Sequence, residues 1–234
     1  MKIIYLFFAM FLAFTPAKAK DWKALWITSD RCQSTTNSWI CYHKSVELPA
    51  PDGTPVYADI AVDSKYWMWI NGQMVVFEGG LKRGPNPTDT YYDRVDIGPY
   101  LTEGKNSIAI LLWYFGKDGF SHNSSGRSGL LFDCQTDRFQ ILSDASWKCK
   151  PYEAYQETGA PYPNWRLPES NIRFDARKEY VGWTEKDAKP NFHRAVPLGE
   201  AVMAPWNNLV ERPIPLWKDF GIQDYVSIEK HAGA

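Results

Sequence analysis

The sequence predicts an all-β chain folded as an antiparallel β-sandwich or jelly roll, and three observations carry that prediction. Short segments alternate apolar and polar residues with period two, the spacing that gives a strand one buried face. Between them lie turn signals such as Asn71-Gly72 and Gly104-Lys105-Asn106, and Gly/Pro-rich stretches that hold much of the chain's proline. No segment carries the 3.6-residue apolar stripe of an amphipathic helix.

The elements follow in order. Val56-Tyr57-Ala58-Asp59-Ile60-Ala61-Val62-Asp63 alternates over eight residues and reads as a half-buried strand. Lys65-Tyr66-Trp67-Met68-Trp69-Ile70 is the next strand, with Trp67 and Trp69 on one face and Tyr66, Met68 and Ile70 on the other. It runs into Asn71-Gly72, whose two residues tolerate the positive φ of a type I′ hairpin turn, and residues 73–77 return. A polar, proline-stiffened loop over 79–89 precedes Tyr91-Tyr92-Asp93 and Val95-Asp96-Ile97. Gly104-Lys105-Asn106 then turns into the hydrophobic strand Ser107-Ile108-Ala109-Ile110-Leu111-Leu112-Trp113. Trp113 is expected in the core and Tyr114 nearer the rim, where a second polar loop over 116–127 begins. The core is expected from Ile60, Val62, Ile70, Ile108, Ile110, Leu112, Leu130 and Phe132, all on period-two faces. Asp93 is expected to tie a loop to backbone N–H groups.

The first 19 residues have the composition of a signal peptide. Lys2 gives a positive start, residues 3–14 are apolar, and Ala17-Lys18-Ala19 is a small-x-small cleavage site. The apolar run is shorter than the roughly 20 residues of a membrane span. A periplasmic or secreted product is expected, with no membrane span. The remaining 215 residues suffice for one large β domain, expected over residues 20–205, with a linker and the start of a following domain over 206–234. A formal net charge of −1 argues against nucleic acid as a partner, since its binding needs a concentrated basic face. Four cysteines in an exported chain permit two disulfides. Local pairs are favoured, Cys32 with Cys41 and Cys134 with Cys149; the alternative is four thiols packed as small apolar side chains.

Enzyme signatures fail on inspection. Gly126-Arg127-Ser128-Gly129 lacks the residue a nucleophile elbow needs between Ser and the second Gly. His43, His122, His193 and His231 are scattered, with no zinc-binding spacing, and no cofactor or metal is expected. A glycosidase needs two carboxylates about 5–9.5 Å apart; Asp93, Asp118, Glu169 and Asp175 are available, but no spacing pairs them.

The order of these pieces resembles the N-terminal β-sandwich of bacterial α-L-rhamnosidases of glycoside hydrolase family 78. The resemblance rests on the strand ending in Asn71-Gly72, the Tyr92-Asp93 pair and the Gly104-Lys105-Asn106 turn into a hydrophobic strand. It extends to Trp22-Lys23-Ala24-Leu25-Trp26-Ile27 as an opening strand and Ser143-Asp144-Ala145-Ser146-Trp147-Lys148 as a strand after a short hairpin. Asp175-Ala176-Arg177 looks like a return strand, with Gly182-Trp183 at its exit, and residues 209–215 look like a connector to a next domain. The resemblance implies a galactose-binding-like jelly roll that assists a carbohydrate-active enzyme. The family's catalytic carboxylates belong to an (α/α) toroid downstream, so no catalytic residue is carried over and this segment alone is expected to be inactive. A C-terminal catalytic domain is an expected partner if the chain is a fragment.

Carbohydrate is the ligand class that the residues favour. Pyranose rings lay apolar C–H faces on aromatic rings, while amides, carboxylates and guanidinium groups reach the hydroxyls. The two long loops and Asn164-Trp165-Arg166 hold the densest mixture of these groups. Arg83, Asp118, His122, Asn123, Asn164, Trp165 and Arg166 are the candidate sugar-binding residues. Two other readings stay open: a module that only buttresses a catalytic domain, and a free-standing secreted sugar-binding protein. Rhamnose as the sugar enters only through the resemblance.

Overall fold

A computed structural model of the chain describes residues 20–81, 84–119, 122–160 and 172–225. Residues 1–19, expected to be a signal peptide, lie outside the described residues. Seven strands open the fold: β1 (Leu25–Thr28), β2 (Ser38–Leu48), β3 (Tyr57–Asp63), β4 (Lys65–Ile70), β5 (Gln73–Gly80), β6 (Thr90–Asp96) and β7 (Gly104–Tyr114). Then come β8 (Gly129–Gln135), β9 (Gln140–Leu142), β10 (Lys148–Pro151), β11 (Tyr155–Glu157) and β12 (Ile172–Phe174). The last three are β13 (His193–Arg194), β14 (Val196–Glu200) and β15 (Leu209–Glu211). Among the described residues there is no α-helix, and none long and apolar enough to cross a membrane.

Two sheets face each other. One has the order β14-β1-β8-β3-β6-β15, with β9 added to β8, and the other β13-β10-β2-β7-β4-β5. Strand pairing is antiparallel except where β15 runs parallel to β6. The eight expected core residues all lie between the sheets, none more than 6% exposed. Burying each large aliphatic side chain there contributes roughly 1.5–3 kcal/mol. The hairpin is as expected: Asn71 and Gly72 have φ of 53° and 83°, and β4 and β5 pair on either side. Asp93 accepts the Gly80 N–H at 3.0 Å, as expected of a loop tie.

Five expectations are corrected. Tyr114 is fully buried between the sheets, while Trp113 turns to the opposite face of β7. Parity explains this, since Ile108, Ile110, Leu112 and Tyr114 must share one face. Residues 143–147 form a turn in which Asp144 accepts the Ser146 N–H at 2.8 Å, and the strand begins only at Lys148. Asp175-Ala176-Arg177 is not a strand: a 3₁₀ turn spans Ala176–Lys178, and the Asp175 carboxylate caps it by accepting the Arg177 N–H.

The cysteines are four buried free thiols. Cys32 packs between the sheets and Cys41 on the outer face of β2, so the sheet separates them. Cys134 and Cys149 sit on strands of different sheets, β8 and β10. The fifth correction is the boundary at 205. Trp206 is fully buried and stacks on Trp26 with ring centroids 4.1 Å apart, and β15 completes a sheet edge. The sandwich therefore continues through Arg212, which ion-pairs with buried Asp93 and bonds the Gly80 carbonyl.

Candidate functional site

Strand parity builds a second, aromatic cluster on the outer face of the six-stranded sheet. Trp39 and Cys41 of β2, Ala109, Leu111 and Trp113 of β7, and Trp67 and Trp69 of β4 all point away from the inter-sheet core. Trp39 stacks on Trp113 at 4.9 Å and on Tyr155 at 5.5 Å, and Trp113 meets Phe115 edge-on at 4.6 Å. Residues from 152–155 and 180–192 pack on part of this face, contributing Tyr152, Tyr155, Tyr180, Trp183 and Phe192. Burial pushes the Tyr180 phenol up to about 12, so it stays neutral and donates to the Pro151 carbonyl at 2.8 Å.

Trp67 and Trp69 remain half-exposed. Trp69 meets Trp183 edge-on at 5.9 Å. The Lys65 ammonium sits 5.7 Å from the Trp67 ring centre and pairs with Glu78 at 3.0 Å. An indole surface flanked by an ammonium and a carboxylate supplies both an apolar platform and hydrogen-bonding partners. Phe174, 47% exposed, extends the aromatic surface beside Tyr155 at 4.9 Å.

The roots of all three expected sugar-binding segments pack against this cluster. Leu81 comes from the first long loop, Phe115 leads into the second, and Tyr155 and Ile172 belong to the paired strands β11 and β12. Arg83, Asn164, Trp165 and Arg166 themselves lie outside the described residues. Asp118 is exposed, and its Oδ1 accepts the Ser124 N–H at 2.8 Å, so it closes its own loop. Asn123 is half-buried beside it.

His122 departs from expectation. It is 3% exposed, its Nε2 lies 2.8 Å from the Lys117 carbonyl, and its ring packs 4.4 Å from Phe115. These contacts anchor the loop, and Nδ1 is buried without a hydrogen-bond partner. Sequence reasoning missed Trp39, Tyr152 and Trp183; the alternation of Trp39 with Cys41 was the available signal for the first.

Among the described residues, the available carboxylates are engaged by partners within the chain. Asp93 is occupied by Arg212 and the Gly80 N–H. Arg177 holds the Asp175 carboxyl down to about 2 through its hydrogen bonds, the reverse of what a general acid needs. Glu169 lies outside the described residues.

Comparison with known proteins yields structural relatives. Neither the protein-family models nor the curated proteins give a match. The family 78 rhamnosidase of Bacillus sp. GL1 superposes with a TM-score of 0.74 and 30% identity, over 85% of this chain and 20% of that one. The α-L-rhamnosidase of Dictyoglumus thermophilum gives 0.62 and 20% identity, over 84% and 23%. That of Streptomyces avermitilis, solved with L-rhamnose, gives 0.52 and 18%, over 79% and 15%. This chain thus spans about a fifth of the length of the rhamnosidases it matches. In fold and, for the Bacillus enzyme, in sequence, the chain is similar to a β-sandwich region of the family 78 α-L-rhamnosidases.

Proposed function

We propose that this chain is a non-catalytic accessory β-sandwich of an exported α-L-rhamnosidase-like glycoside hydrolase, which binds or orients carbohydrate for a catalytic domain. The observation that carries the reading is the 30% identity with the Bacillus rhamnosidase over 85% of this chain. The aromatic face gives the reading a physical basis: a sugar ring lies on Trp67 or Trp69, and Lys65 and Glu78 exchange hydrogen bonds with its hydroxyls. Such a shallow, wet contact binds in the millimolar range, about −4 kcal/mol, because each hydroxyl bonded to protein gives up a bond to water. The composition of residues 1–19 supports the export part of this reading.

Titration of the full chain with rhamnose, galactose and rhamnose-containing oligosaccharides tests this function. Binding that Trp67→Ala weakens supports it. No heat and no spectral change at millimolar ligand leaves the buttress reading, which one observation favours: Tyr152, Tyr155, Tyr180, Trp183 and Phe192 of the chain itself already cover part of the aromatic face.

A further inference from the structure

Beside the half-exposed tryptophans of the aromatic face lies a pocket of about 290 Å³ with a charge of its own. Residues 180–183 and 188–192 wall it, and Lys150 of β10 lines it from the sheet. Tyr180, Trp183 and Phe192 are its aromatic lining, and Lys150, Lys189 and Asn191 its polar one. Trp183 belongs to both pocket and aromatic face, because it meets Trp69 edge-on at 5.9 Å. The volume lies at the small end of ligand sites, which span roughly 300–1,000 Å³, and suits a single sugar ring.

Strand parity sets the charge of this edge. Cys149 faces the inter-sheet core, so Lys148 and Lys150 face outward, beside His43 and Cys41 of β2. Arg194 of β13 pairs with Lys148 and shares its face. The Lys150 ammonium lies 4.5 Å from the Tyr180 ring centre, and Lys189 is exposed. The carboxylates of the covering segment are directed elsewhere. Glu179 sits at the Tyr152 phenol, Glu185 reaches the Asn71-Gly72 turn, and Asp187 pairs with Lys105 at 3.3 Å.

Two ammonium groups and no carboxylate therefore line the pocket. Burial, then Lys148 and Lys105, lower the His43 pKa to about 4, the sign of a positive field on the same face. The larger cleft of about 960 Å³ near residues 48–57 has the opposite balance, with five carboxylates to three cations. An ammonium pair beside aromatic rings suits an anionic group carried on a ring with an apolar face.

We propose that this pocket takes an acidic sugar: a uronate ring lies against Tyr180 and Trp183, its carboxylate accepts from Lys150 and Lys189, and the next sugar of the chain reaches Trp69. The proposal rests on the carbohydrate reading above and deepens it by naming the charge of the ligand.

The test is an NMR titration of the isotope-labelled full chain with four probes. Trigalacturonate is the acidic sugar, its methyl ester the neutral counterpart, tripolyphosphate a polyanion without a ring, and L-rhamnose a neutral monosaccharide. Trigalacturonate should shift the signals of residues 148–150 and 180–192. Its affinity should fall with added salt, because screening cuts the reach of charges from about 30 Å at 0.01 M to about 8 Å at 0.15 M. The methyl ester should bind about tenfold more weakly, as expected when two solvated ion pairs are lost, and without salt dependence. Lys150→Met with Lys189→Met should cause the same loss for trigalacturonate. Lys189→Met alone alters an exposed side chain and should cause part of it in a folded chain, while Lys23→Met, ahead of β1, should leave binding unchanged. Equal binding of the ester, or pocket shifts as strong with tripolyphosphate, would overturn the acidic-sugar site. Sugar-induced shifts confined to Trp67 and Trp69 would overturn the pocket and keep the carbohydrate reading, whereas silence with every sugar would sink both.

Discussion

Replacing Arg212 by methionine removes one guanidinium and leaves a buried charge behind. Asp93 is 3% exposed, and the Arg212 side chain 13%. Arg212 Nε pairs with Asp93 Oδ1, Nη2 bonds the Gly80 carbonyl, and the Arg212 N–H bonds the Tyr92 carbonyl at 2.9 Å. Methionine keeps the backbone bond and much of the packing, but Asp93 retains only the Gly80 N–H among these partners. Breaking a buried pair from one side costs about 3–5 kcal/mol, a large share of the roughly 5–15 kcal/mol that stabilises a domain. Urea unfolding followed by tryptophan fluorescence measures the loss, which should appear as a lower midpoint with an unchanged slope. Asp93→Asn in the same chain should recover part of the loss, because no uncompensated carboxylate then remains. A loss below about 1 kcal/mol would put the pair in the class of solvated surface bridges, and the argument that the fold extends through Arg212 would lose its energetic support.

Four further outcomes follow from the same structure. A chain ending at Pro205 should fail to fold cooperatively by calorimetry, whereas one ending at Trp217 should melt like the full chain, because Trp206, β15 and Arg212 lie between. Gly72→Val should lower the melting temperature, since φ of 83° is strained for a β-branched residue and its Cβ would meet the Glu185 carboxylate at 2.7 Å; an unchanged melting temperature would refute the turn assignment. Burial, with Lys148 and Lys105 nearby, lowers the His43 pKa from 6.5 to about 4. Between those values the unfolded chain binds a proton that the folded chain does not, so stability should fall as pH drops from 6.5 to 4, by up to about 3 kcal/mol. His43→Gln should flatten that part of the pH profile; an equally steep profile would clear His43. Finally, the purified chain should release no rhamnose from an aryl-rhamnoside, and turnover abolished by Asp93→Asn or Glu169→Gln would contradict the non-catalytic reading.

What the sequence disclosed followed from local periodicity. Ile60, Val62, Ile70, Ile108, Ile110, Leu112, Leu130 and Phe132 were all legible because a strand's parity is written in the adjacent residues. The same rule, carried two residues beyond Leu112, places Tyr114 in the core, and neglect of that step put it at the rim. Contacts between distant segments left no local trace. Trp206 stacks on Trp26, 180 positions away, and its neighbours Pro205 and Asn207-Asn208 look like linker. His122 sits amid Asp118, Asn123 and Ser124, so its surroundings in sequence are polar although its surroundings in space are Phe115 and a carbonyl.

Asp59 carries this difference further. In the sequence it is merely a polar residue in an alternating strand, on the face opposite Ile60 and Val62, where a solvated carboxylate belongs. The fold instead sets it between Arg94 and Asp133 and covers it with Lys20, so that a surface position becomes a buried one. The cost of that burial is met at one oxygen and not at the other. Asp93, Asp133 and Asp175 are all matched by partners within the chain, and Asp59 alone of these four has a buried oxygen left over.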